Sequence, residues 1–266
     1  MRLVTINESI LESANVKTLV FSDRLSSLAR PGQFVMVWIP RIEEIPMSVM
    51  ISDIPGNAAI SVKKYGIGST SLFCRKDGEL LGLRGPYGNS FKIPKKFRKV
   101  LLVGGGTGLV PLLRLAVNIN KMNIGCTMIM GARTKKEIIF ENYAKNLLRN
   151  PRHKVVLTTD DGSYGISGTA PEAMDMLLKT TRFDCVYTCG PELMMKRVVD
   201  IATMQDLPVQ ASLERYMKCG FGMCGSCCIN KWLVCCDGTV FGAKDLAKMN
   251  EFGNVYRDKD GQKKYY

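Results

Sequence analysis

The sequence predicts a multidomain chain. Residues 1–98 form an antiparallel β-barrel, and residues 99–213 an α/β Rossmann-like domain with a parallel sheet. A small cysteine lobe follows at 214–245, and a C-terminal tail at 246–266. Three observations predict this. Short apolar runs recur about every ten residues in the first third, separated by turn signals. Continuous apolar strands then alternate with helical segments, starting from a strand that runs straight into glycines. Last comes a dense group of cysteines and glycines.

In the first part, Val16–Phe21 is rich in β-branched and aromatic residues, and Pro31-Gly32 marks a turn before the apolar run Gln33–Ile39. Ile60–Lys64 alternates with period two, and Leu80–Arg84 follows the turn Asp77-Gly78. Pro46-Met47-Ser48 lies between two strand-like runs. Tyr65–Thr70 places two glycines and two hydroxyls ahead of a short helical stretch, Ser71-Leu72-Phe73. Such a loop can cradle a phosphate with backbone N–H groups, although glycine-rich turns in a β domain are most often only turns. Gly85–Phe91 reads as a rigid loop.

In the second part, Val100–Val103 is the first strand and Gly104-Gly105-Gly106-Thr107-Gly108 is the turn. The helix that follows carries Pro111, tolerated in a first turn. Further strands are expected at Cys126–Met130, Val155–Thr159, Asp184–Thr188 and Val209–Leu213, with helices near Lys135–Leu148, Thr169–Leu178 and Pro191–Met204. The glycine turn departs from the dinucleotide fingerprint: Leu109 stands at the third glycine, and Met128 where an acid is usual. With strand order 3-2-1-4-5, Gly104–Gly108 and Cys189-Gly190-Pro191 meet at the switch point, where dinucleotides bind. Asp160 and Asp161 end the third strand at the same rim.

Cys219, Cys224 and Cys227 are spaced C-x4-C-x2-C, with further thiols at Cys228, Cys235 and Cys236. This is the plant-type [2Fe–2S] spacing, three thiolates from one loop and a fourth from farther on. Gly220, Gly222 and Gly225 let backbone N–H groups approach an anionic cluster. Zinc sites favour paired short spacings, and disulfide frameworks suit short secreted chains. If residues 229–234 continue as a strand, Cys228 points away from the cluster that Cys227 holds. The fourth ligand is then Cys235 or Cys236, which face opposite ways.

Composition narrows the function classes. The chain has 266 residues, 46% of them hydrophobic, and no apolar region at its start that would read as a signal peptide. The longest apolar run, Val100–Leu113, is broken by four glycines and a proline and is too short to span a bilayer. Ten cysteines without a secretion signal point to metal use in a reducing cytoplasm. The net charge of +13 suits a solvated face or an acidic protein partner better than nucleic acid, because no aromatics interleave with the basic residues. The single histidine, His153, argues against hydrolytic triads, and no catalytic side chain is assigned.

Gly104–Gly108, Cys189-Gly190-Pro191 and the run from Glu214 to Phe241 carry a resemblance to the ferredoxin-reductase superfamily. Within it the chain is most similar to the electron transfer subunits of dihydroorotate dehydrogenase B, over about residues 1–242. The resemblance implies one FAD, one [2Fe–2S] cluster and NAD. It implies a separate FMN-containing catalytic subunit, two copies of each chain in a heterotetramer, and a role in pyrimidine (UMP) biosynthesis. Neither nucleic acid nor membrane is an expected partner. Carried onto this chain, Ile45, Pro46, Met47 and Ser48 contact the flavin ring, and Val62, Lys63, Lys64, Ser69 and Thr70 hold its ribityl and pyrophosphate. Ile45 stands where the family often has arginine, and Ser69-Thr70 where most members have glycine-threonine. The family's motif puts its last ligand in the register of Cys235, before Asp237-Gly238. Asp160 and Asp161 would meet the adenosine ribose and favour NAD over NADP; Arg133 and Lys135 pull the other way. The rival oxidoreductase readings are a flavin subunit of an NAD(P)H:ferredoxin oxidoreductase or of a sulfhydrogenase. A zinc-containing nucleic-acid-binding module is the rival from another class.

Overall fold

The computed structural model describes all residues, 1–266. Six antiparallel strands close a barrel in the order β1-β2-β5-β4-β3-β6. They are β1 (Arg2–Ser13), β2 (Val16–Ser22), β3 (Phe34–Ile39), β4 (Glu43–Ile51), β5 (Asn57–Lys63) and β6 (Leu80–Tyr87). Two short helices, α1 (Arg24–Ser27) and α2 (Ile67–Phe73), lie in the connections. The first strand was not expected. It carries Asn7, Glu8 and Glu12 among its apolar residues, so its buried face reads weakly in the sequence.

Alternation along β3 decides how the barrel meets the rest of the chain. Val35, Val37 and Ile39 face inward and pack with Val49, Ile60, Leu81 and Leu83. Phe34 and Met36 face outward into a second core with Met217, Cys227, Val234 and Cys235. Both are at most 3% exposed, so each contributes roughly 1.5–3 kcal/mol of burial to the junction.

The second sheet contains β7 (Lys99–Gly105), β8 (Gly125–Ala132), β9 (Lys154–Thr159), β10 (Ile166–Ser167), β11 (Cys185–Cys189) and β12 (Val209–Ser212). Its helices are α3 (Leu109–Lys121), α4 (Glu141–Leu147), α5 (Ala170–Leu178) and α6 (Glu192–Met204). The order β9-β8-β7-β11-β12 is the expected 3-2-1-4-5, all parallel. The helix expected near 135–148 divides into a single turn at Lys135–Glu137 and α4. The break is at Phe140, whose ring is buried and whose backbone is left-handed, with φ 63°.

The cysteine segment holds the two-residue strands β13 (Cys228–Ile229) and β14 (Trp232–Leu233), then β15 (Val240–Gly242) and α7 (Ala243–Leu246). It is not separate from the sheet, because β15 pairs antiparallel with β12. The expected tail is an ordered hairpin, β16 (Val255–Arg257) with β17 (Lys263–Tyr265). No helix is long and apolar enough to cross a membrane.

Candidate redox site

The cysteine loop lies on the outer face of β3. A Cβ on Gly220 would come within 2.7 Å of Met36 Cγ, so only glycine fits against the strand there, at φ 82°. Met36 is paired with Pro46 across β4 and with Arg84 across β6. The loop therefore sits one strand away from the segment Ile45–Ser48.

The thiols fall into two pairs. Cys219 and Cys224 are neighbours near the surface, and Cys227 and Cys235 are neighbours in the interior. Backbone N–H groups aim at the sulfurs: Gly222 donates to Cys235 Sγ at 3.2 Å, Met223 to Cys219 Sγ at 3.3 Å and Cys235 to Cys227 Sγ at 3.4 Å. Burial acts to raise the Cys224 thiol, but the Ser226 hydroxyl and N–H, with Cys219, hold it at about 6. Cys219 is also lowered, its backbone donors outweighing burial. Burial and the neighbouring Cys227 push Cys235 up to about 12; a bound metal ion deprotonates such a thiol outright. No three His, Cys, Asp or Glu side chains close on a point that would hold a lone ion. Two pairs of thiols with N–H donors on sulfur fit a two-iron cluster, in which two side chains serve each iron. Cys236 is exposed and receives no such donor, whereas Cys235 is 2% exposed.

The segment after Cys235 is held by the barrel. Asn89, in the loop Gly85–Phe91, donates through Nδ2 to the carbonyls of Asp237 (3.0 Å) and Val240 (2.8 Å). Thr239 Oγ1 donates to the Gly32 carbonyl at 2.6 Å. The C-terminal hairpin holds the other side. Glu251 accepts from Asn230 N–H at 2.9 Å and from Arg257 at 2.7 Å, and Arg257 also donates to the Cys228 carbonyl at 3.1 Å.

On the barrel, the expected flavin contacts separate by face. Ile45 and Met47 pack on the barrel interior with buried Val62, while Pro46 and Ser48 lie on the Met36 side. A flavin ring held on that side would meet the side chains of Pro46 and Ser48 and only the backbone of Ile45 and Met47. Ser69 Oγ accepts from the N–H groups of Tyr65 (3.0 Å) and Gly66 (2.9 Å), so it caps α2. Thr70 is exposed. Lys64 is exposed with Nζ 4.0 Å above the Phe73 ring, and Lys63 is half-buried. The Glu43 carboxylate lies against Gly68, at the helix end where an anion is favoured.

On the sheet, the two predicted loops do meet. Gly104 pairs with Cys189, and a Cβ on Gly108 would overlap Gly190 Cα at 2.4 Å. Gly105 lies beside Pro191, and the space over Gly106 is open. Thr107 is half-buried at the same turn. Cys189 is buried, which drives its thiol well above the ordinary range and keeps it neutral. Asp160 and Asp161 follow β9 beside Arg133, and they differ. Asp161 is engaged with the Ser163 hydroxyl at 2.6 Å, whereas Asp160 makes no side-chain bond and is raised by burial and by Glu172. Arg133 is bound to Glu137 at 2.7 Å. His153 is buried against Asn120 and lowered by burial, a structural placement.

Sequence reasoning missed Arg84, Asn89, Arg114 and Glu251, which bond to carbonyls or N–H groups distant in the chain. Only Asn89 lay in a loop that carried any signal.

Barrel, parallel sheet and paired thiols together define a flavin- and iron–sulfur-type oxidoreductase of the ferredoxin-reductase class. Residues 102–200 match the oxidoreductase NAD-binding domain, and residues 214–247 match the iron–sulfur cluster binding domain of dihydroorotate dehydrogenase B. The chain is 41% identical to a probable dihydroorotate dehydrogenase B (NAD(+)) electron transfer subunit of Methanocaldococcus jannaschii, covering 98% of this chain and 97% of that one. It is 40% identical to the protein of the same description in Pyrococcus furiosus, covering 98% of each. Among solved structures, the NADH-dependent reduced ferredoxin-NADP oxidoreductase superimposes with a TM-score of 0.82 at 30% identity, over 94% of each chain. A ferredoxin reductase of carbazole 1,9a-dioxygenase shares the fold, with a TM-score of 0.69 at 23% identity over 79% of this chain and 68% of that one. The chain belongs to the family of dihydroorotate dehydrogenase B electron transfer subunits.

Proposed function

We propose that this chain passes electrons from dihydroorotate to NAD, as the electron transfer subunit of an NAD-dependent dihydroorotate dehydrogenase in UMP biosynthesis. Dihydroorotate is oxidised in a separate FMN-containing subunit; two copies of each chain make the assembly, in the cytoplasm. Cys219, Cys224, Cys227 and Cys235 hold a [2Fe–2S] cluster. The barrel face of Pro46 and Ser48 holds FAD, and the turns Gly104–Gly108 and Cys189–Pro191 hold NAD. When bound, the cluster relays single electrons and the flavin delivers them in pairs, as hydride, to the nicotinamide. The protein supplies positions: the loop against Met36 keeps the cluster site beside the flavin strand, and neutral Cys189 adds no charge at the dinucleotide turn.

One observation carries the reading. Gly220, next to the first cluster cysteine, contacts Met36, which is paired directly with Pro46. The same seat would serve an NAD(P)H:ferredoxin oxidoreductase, the reading that the 30% identical structure favours. The higher identity to dihydroorotate dehydrogenase subunits, and the match of the cysteine segment to their cluster domain, favour the first. Co-expression with an FMN-containing dihydroorotate dehydrogenase chain from the same genome tests it. The complex should reduce NAD with dihydroorotate, and this chain alone should only reduce dyes with NADH. Dihydroorotate turnover by the isolated chain, or a complex inactive with NAD but active with ferredoxin, would overturn it.

A further inference from the structure

We infer that Arg84 is a positioning residue for this electron transfer: it fastens the cysteine loop to the flavin strand and, by neutralising Glu44, sets the local charge beside the cluster. The inference rests on the reading just given, that the four cysteines bind a cluster and the barrel binds FAD. Arg84 and Glu44 stand on the two strands that flank β3 and reach over it toward each other. Their fork is bidentate, with Nε to Oε1 at 2.7 Å and Nη2 to Oε2 at 2.5 Å. The remaining nitrogen, Nη1, donates to the Cys219 carbonyl at 2.9 Å. The rings of Phe221 and Tyr87 lie 5.8 and 5.9 Å from the guanidinium. Glu44 is two residues from Pro46, so a short chain of bonds runs from the first cluster cysteine to the flavin strand. A planar guanidinium can hold a carboxylate and a carbonyl at once in fixed directions, and an ammonium cannot.

The two side chains are about one-fifth exposed, so solvent screens them only in part. Reduction adds negative charge at the cluster, and a nearby cation stabilises the reduced form. With Glu44 in place the pair is neutral. Removing Arg84 leaves a carboxylate beside the cluster and lowers its potential. Removing the charge of Glu44 frees the cation and raises it.

The test is a redox titration of the full chain, loaded with flavin and cluster and followed by EPR and visible absorption. Arg84→Gln should shift the reduced-to-oxidised ratio at a fixed potential about tenfold toward oxidised, about 59 mV for one electron. Glu44→Gln should shift it the opposite way. Arg84→Lys should keep most of the midpoint but broaden the EPR lines, because the charge remains and the fork is lost. Shifts of the same sign in the two glutamine variants, or no shift in either, would overturn the inference. If Arg84→Gln cannot hold a cluster, Glu44→Gln decides: an upward shift supports the inference and anything else refutes it. A wild-type chain without flavin or cluster is a different result, and it strikes the proposed function instead.

Discussion

Asn89 and Val240 exchange two hydrogen bonds, the Val240 N–H donating to Asn89 Oδ1 and Asn89 Nδ2 donating to the Val240 carbonyl, both at 2.8 Å. A loop of the barrel thus holds the backbone that follows the last cysteines. Asn89→Ala strands that N–H and two carbonyls, at a cost of roughly 2 kcal/mol. The expected outcome is a lower denaturation midpoint, with faster bleaching of the cluster's visible absorption in air. Unchanged bleaching would show that the clasp does not guard the cluster.

The fourth ligand separates by mutation. Cys235 is buried and accepts from Gly222 N–H, while Cys236 is exposed. Cys235→Ser should abolish the cluster's EPR signal, and Cys236→Ser should leave it nearly intact. The reverse pattern would move the register by one residue.

We predict that dinucleotide choice turns on Asp160, the carboxylate of its pair left without a side-chain partner. NADH should have the higher kcat/KM, because a carboxylate repels a 2′-phosphate. Asp160→Ser should narrow the preference by about tenfold, the 1.4 kcal/mol scale of one lost charge contact. A wild-type kcat/KM for NADPH equal to that for NADH would refute this. Asp161, tied to Ser163, should matter less.

Arg114 joins the two sheets without an acidic partner. From α3 it donates to the carbonyls of Ala29 (2.6 Å), Ser27 (2.6 Å) and Met50 (3.1 Å). Burial lowers its guanidinium to about 10, so it remains charged at neutral pH. Arg114→Met should cost about 3 kcal/mol. Tm should then fall by roughly 6–12 °C in a thermal scan.

Acid should loosen the C-terminal hairpin first. Arg257, then Lys263 and the Asn230 N–H, hold the Glu251 carboxyl down at about 2 against the 4.5 of an ordinary glutamate. A depressed carboxyl stabilises the fold above its unfolded value, and that contribution is lost as pH falls from about 4.5 toward 2. Glu251→Gln should flatten the stability–pH curve in that window, measured by denaturant unfolding. An unaltered curve would show that the pair contributes nothing.

Much of this was legible in the chain. The alternation of strands and helices, the glycine turn and the C-x4-C-x2-C loop follow from apolar periodicity and local spacing. The 3-2-1-4-5 order, which sets Gly108 against Gly190, is the usual one for such an alternation, and Cys235 as fourth ligand is what the family resemblance implies. What was not legible is long-range. Arg84, Asn89 and Arg114 bond to main-chain groups, which any residue can present, so no spacing announces them. β1 was missed because Glu8 and Glu12 disguise its buried face, and the tail's hairpin because its basic residues resemble a solvated end. Ile45 and Met47 were read with their neighbours, although the pleat turns them into the barrel.

The antiparallel pairing of β15 with β12 bears on how the chain is made. Until residue 242 has left the ribosome, β12 is an open edge, with a row of main-chain donors and acceptors free to recruit another chain. A product stopped at residue 213 would be an aggregation hazard, not a smaller working reductase, and fusion or truncation schemes should keep the cysteine segment attached.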